Sequence, residues 1–198
     1  MRKVAVLTWL LVLLATIVVL FWHNEWVYSL PTPVPKNYHV VNPGTLITGS
    51  HKLPVKTAQP VFLHFYNPDC PCSRFNIPHF NSLVKQYGKE IQFVIVPVTK
   101  KKLTATDVLK KFDVQVPVVF DSTLAAECGV YSTPQAVIVD TTQQLYFRGN
   151  YNKSRYCSDK KTEYARMALD KLLHNNAAII SDLFALKAYG CSLPKCTK

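Results

Sequence analysis

Nineteen consecutive residues without a charge, Val4 to Trp22, set the frame for everything after them. At about 1.5 Å of rise per residue, such a run nearly spans a hydrocarbon core of about 30 Å. Arg2 and Lys3 precede it; Trp22 at its end, with Trp26 and Tyr28 beyond it, supplies interfacial aromatics. No small-x-small cleavage site follows, so the segment reads as an anchor, with a processed signal peptide as the alternative. The flanking basic residues lie on the N-terminal side. The positive-inside rule therefore predicts a cytoplasmic N-terminus and an external remainder.

Residues 1–28 are thus expected as a transmembrane anchor. Pro31, Pro33 and Pro35 in residues 29–37 predict an extended stalk. The folded part is expected over 38–176, with a tail over 177–198 that carries Cys191 and Cys196. Lys and Arg number 23 against 12 Asp and Glu, a formal charge of +11. The densest stretches, Lys100–Lys102 and Lys110–Lys111, are not interleaved with aromatics. A solvated basic surface is expected there, and nucleic acid is not expected as a partner.

Strands and helices alternate in the folded part. Pro60–Tyr66 and Ile91–Val98 are continuous apolar runs, the pattern of strands covered on both faces. Residues 71–87 carry a helical stripe of Phe75, Phe80, Leu83, Val84 and Tyr87. A short helix is expected over 104–112, capped by Thr104 or Thr106, and another over 122–128. Residues 117–120 read as a short strand. Gln135–Asp140 and Gln144–Arg148 read as a hairpin, and Asp159–Asn175 as an amphipathic helix. The expected class is α/β, a central mixed sheet with helices on both faces, preceded by one transmembrane helix.

The chemistry concentrates where the first strand hands over to a helix, in F62-L-H-F-Y-N-P-D-C-P-C-S-R-F-N-I-P78. A thiol at a helix N-terminus meets the positive end of the dipole, which favours the reactive thiolate. Cys70 is the expected attacking sulfur and Cys72 the expected resolving one. A ring closed by Cys-Pro-Cys is small, and strain in it would make that disulfide more oxidising. Pairing with a more distant cysteine is the relaxed alternative.

This segment resembles the active-site entry of the thioredoxin-fold redoxins, most nearly their membrane-anchored periplasmic thiol-disulfide branch with a Cys-Pro-Cys-Ser site. Pro78 is similar to the proline that kinks that family's active-site helix. A-A-E-C-G-V-Y-S-T-P-Q-A-V-I-V-D resembles the approach to its cis-proline loop. The resemblance implies a thioredoxin-like fold and a substrate-facing pair, Thr133-Pro134. It also aligns His64 with a buried acid that moves protons, a role a histidine would fill nearer neutral pH. Ser73 stands at the usual second cysteine position. Asn67 stands where peroxide reducers need threonine, so peroxidase activity is not expected.

Cys191 and Cys196 suggest either a disulfide stapling the tail or a dithiol that passes electrons to Cys70 or Cys72. Cys128 reads as a core residue. Cys157 has any of the others as partner, and six cysteines allow fifteen complete pairings. The expected activity is thiol-disulfide exchange on protein substrates at the outer face of a bacterial inner membrane. No cofactor or metal is expected, and electrons would come from a membrane or periplasmic redox partner. The alternatives are a Cu(I)-binding or copper-site thiol-maintenance module, and a redox-inert interaction domain. The sequence leaves the direction of electron flow open.

Overall fold

The computed structural model describes residues 2–49, 53–54, 59–174 and 182–193. Helix α1 (Arg2–Phe21) continues through a π turn (Trp22–Trp26) into a last helical turn, α2 (Val27–Ser29). Together these 28 residues are long and apolar enough to cross a membrane.

The central sheet holds four strands in the order β2 (Gln92–Pro97), β1 (Val61–Tyr66), β4 (Gln135–Val139), β5 (Leu145–Gly149). Strands β1 and β2 run parallel, joined by helix α3 (Pro71–Tyr87). Strand β4 is antiparallel to β1, and β5 closes the hairpin. Every residue of β1 is buried, as its unbroken apolar run predicts for a central strand. Period-two alternation sorts the side chains between two cores. Phe62 and Tyr66 join α3 and α6 (Tyr164–Leu173) on one face, whereas Val61, Leu63 and Phe65 join α5 (Thr123–Glu127) on the other. The result is a thioredoxin-like mixed sheet with helices on both faces.

Several boundaries differ from the sequence reading. The expected strand at 117–120 is reduced to a single parallel bridge, Val118 to Ile95. Pro117 has no N–H to extend the ladder. The helix expected from Asp159 begins as a 3-10 turn (Lys160–Thr162) before α6; its expected end, Asn175, lies outside the described residues. Phe75, expected in the buried stripe of α3, is 43% exposed and packs against the Tyr156 ring instead. Leu173 at the end of α6 is likewise exposed.

The chain on either side of the expected domain joins it. Pro31 bridges to Tyr189, and the buried Thr32 donates its N–H to the Ala188 carbonyl at 2.8 Å. Part of the proline segment is therefore docked rather than free. The tail carries α7 (Leu183–Leu186) and β6 (Cys191–Ser192), and β6 pairs with the two-residue strand β3 (Ser132–Thr133).

Candidate functional site

Cys70 is the N-cap of α3, in extended conformation, with Pro71 at the first helical position. Proline suits that position, because its missing N–H is one the helix leaves unpaired anyway. The Cys70 N–H donates to the Asn67 carbonyl at 3.1 Å, closing the turn out of β1. Its Sγ lies 3.4 Å from the Thr133 carbonyl oxygen. Thr133-Pro134 is the one cis peptide among the described residues. The strand-helix junction and the loop before β4 thus meet at this sulfur.

Cys70 is disulfide-bonded to Cys191, 121 residues away in sequence. The expected Cys70–Cys72 pair is not formed, and Cys191 is not stapled to Cys196, which lies outside the described residues. The reason is β6. Antiparallel pairing sets Cys191 opposite Thr133, whose carbonyl already touches the Cys70 sulfur.

Cys72, the second residue of α3, is fully buried and free. Burial pushes its thiol up, and the nearby Arg155 guanidinium pulls it only part of the way back. Arg155 is itself buried. It donates to the Asn24 carbonyl at 2.9 Å and to the Tyr156 hydroxyl at 2.7 Å, pairs with Glu25 at 2.8 Å, and lies over the Tyr28 ring. The last turns of the apolar helix therefore reach the neighbourhood of Cys72.

His64 does not fit the neutral-pH proton carrier implied by resemblance. It is fully buried, stacked on Phe80 and ringed by Tyr66, Phe112 and Tyr151. Its Nδ1 lies 2.6 Å from the Tyr151 hydroxyl. Burial pushes its pKa down to about 3, so the ring is neutral near pH 7. Cys157 is unpaired; its thiol donates to Asn76 Oδ1 at 2.9 Å, and burial pushes it up to about 12. Cys128, the expected core residue, is buried and likewise pushed up to about 12. Among the described residues, no three His, Cys, Asp or Glu gather as a metal site.

The sequence reading missed Arg155, Ser132, Thr32 and Tyr189. Each acts through contacts across the fold, and none sits in a local pattern that marks it.

A sequence model of the family described as "Domain of unknown function (DUF6436)" matches residues 45–194, three quarters of the chain. The chain belongs to this family. The DUF6436 match runs through β6 and includes Cys191. No curated protein matches the chain. Among solved structures, a hypothetical protein from Sinorhizobium meliloti superposes with a TM-score of 0.62 at 15% identity, over 79% of this chain and 96% of that one. An uncharacterised conserved protein from Geobacillus kaustophilus gives 0.58 at 21% identity, over 71% and 80%. A secreted disulfide oxidoreductase from Mycobacterium tuberculosis gives 0.37 at 16% identity, over 44% and 66%. The first two likenesses concern the fold.

Proposed function

We propose that the chain is a membrane-tethered thiol-disulfide oxidoreductase in which Cys70 is the exchanging sulfur. The observation that carries this reading is the position of that sulfur. It caps the 17-residue helix α3, touches the Thr133 carbonyl and is already joined to a second cysteine. The helix terminus stabilises a thiolate leaving from or attacking a disulfide. Thr133 and Pro134 supply the main-chain edge for an extended protein substrate. Cys72 is a buried thiol beneath the site, and His64 is a neutral support for the strand rather than an acid. The apolar helix is an inner-membrane anchor, with Arg2 and Lys3 on the cytoplasmic side and the domain in the periplasm. The substrates are protein thiols or disulfides, and a second redox protein exchanges electrons with the site.

The test is exchange between the reduced full chain in detergent and a fluorophore-labelled glutathione disulfide. Cys70→Ser should lower the rate at least 100-fold. A wild-type rate in Cys70→Ser would remove the proposal.

A further inference from the structure

Residues 189–193 return across the molecule to run beside the residue that precedes Pro134. Cys191 and Ser192 pair antiparallel with Thr133 and Ser132, and the Leu193 N–H donates to the Tyr131 carbonyl at 3.3 Å. Their seat is a built one. The buried Ser132 hydroxyl donates to the Tyr189 carbonyl at 2.8 Å and meets the Thr32 hydroxyl at 2.9 Å. Tyr189 is buried, and its hydroxyl donates to the Asn152 carbonyl at 3.0 Å. Between Tyr189 and Cys191 the backbone turns at Gly190 with φ +105°, and a Cβ there would meet the Thr133 oxygen at 2.3 Å. Only glycine allows this approach. A strand added to a sheet edge by main-chain bonds, with one side chain delivered to a fixed point, is how extended peptides are recognised.

We propose that this tail is a tethered substrate surrogate and that Cys191, rather than Cys72, is the exchange partner of Cys70. The inference rests on Cys70 being the exchanging sulfur. Tail and substrate compete for one edge, so the oxidised protein is closed and reduction opens it. Cys191 is partly exposed, whereas Cys70 and Cys72 are fully buried. The reductant therefore enters through Cys191.

A thiolate of a dithiol donor attacks Cys191 Sγ. A donor–Cys191 bond forms, the Cys70–Cys191 bond breaks, and Cys70 departs as a thiolate at the helix start. The donor's second thiolate then attacks its own partner sulfur. The donor leaves as a disulfide, and Cys191 is released and takes a proton from water. Two electrons have passed from donor to protein. The Cys70 thiolate next attacks a substrate disulfide and expels one substrate sulfur, which is protonated. As the tail displaces the substrate strand, the Cys191 thiol gives its proton to water and, as a thiolate, attacks Cys70 Sγ, re-forms the Cys70–Cys191 bond and releases the second substrate sulfur, which is protonated.

Non-reducing peptide mapping of the oxidised full chain in detergent should recover a Cys70–Cys191 link with Cys72 free. The reduced chain is then challenged with glutathione disulfide. Cys191→Ser should accumulate a glutathione adduct on Cys70 more than tenfold above wild type, and Cys72→Ser should turn over like wild type. Gly190→Ala keeps the thiol but blocks its seat, and should trap the adduct as Cys191→Ser does. A Cys70–Cys72 link, trapping in Cys72→Ser, or wild-type turnover in Cys191→Ser or Gly190→Ala would overturn the tail's role while leaving Cys70 as the exchanging sulfur. Absence of a Cys70 adduct in every variant would overturn both.

Discussion

An imidazole enclosed by Phe80, Tyr66, Phe112 and Tyr151, as that of His64 is, gains a proton only at the cost of burying a charge. Its folded pKa, about 3, lies below the 6.5 of an unfolded histidine. The unfolded chain therefore binds the proton first, and stability present above pH 6.5 is lost as pH falls. Between pH 7 and pH 5 the loss from this one group is about 2 kcal/mol. His64→Gln should remove that part of the slope, measured as the difference in urea midpoint between the two pH values. An unchanged slope would show that His64 is not held neutral. The segment containing His64 was legible as a buried strand from its apolar run. The chemistry of the ring was not, because it depends on aromatic neighbours that come from β1, α3, the turn after helix α4 (Ala105–Leu109) and the chain after β5.

The elements that sequence located well are those whose signal is local. The junction of β1 with α3 follows from an apolar run ending at Tyr66, four residues before Cys-Pro-Cys begins. Helix α4 (Ala105–Leu109) follows from its cap. Of the two candidate caps, Thr104 is the one used: its hydroxyl accepts the Asp107 N–H at 3.2 Å, and its own N–H donates to the Asp107 carboxylate at 3.2 Å. Thr104→Ala should lower stability by about 1 kcal/mol and Thr106→Ala by much less, read from urea midpoints. Equal effects would contradict the capping assignment. Strands β3 and β6 were invisible because two residues carry no period. They exist only because a chain end comes back to meet the loop before Pro134. The sequence left the disulfide open between a Cys70–Cys72 ring and a more distant partner, since a link across 121 residues is fixed by the folded path and not by spacing.

Across the whole molecule, segments from both sides of the core sheet converge on Cys70 and Cys72. The apolar helix reaches Arg155 through Asn24 and Glu25, and Thr32 and Tyr189 hold the proline segment against the tail. The proposed exchange site is thus assembled from segments outside the core sheet as well as from α3. The most direct measurement of its reactivity is the rate of iodoacetamide labelling at each cysteine of the reduced, folded full chain at pH 6.5. Cys128 and Cys157, both pushed up to about 12 by burial, are internal references. Cys70 should be alkylated more than tenfold faster than either of them and faster than free cysteine under the same conditions. Labelling of Cys70 no faster than that of Cys128 and Cys157 would contradict an exchanging sulfur at the start of α3.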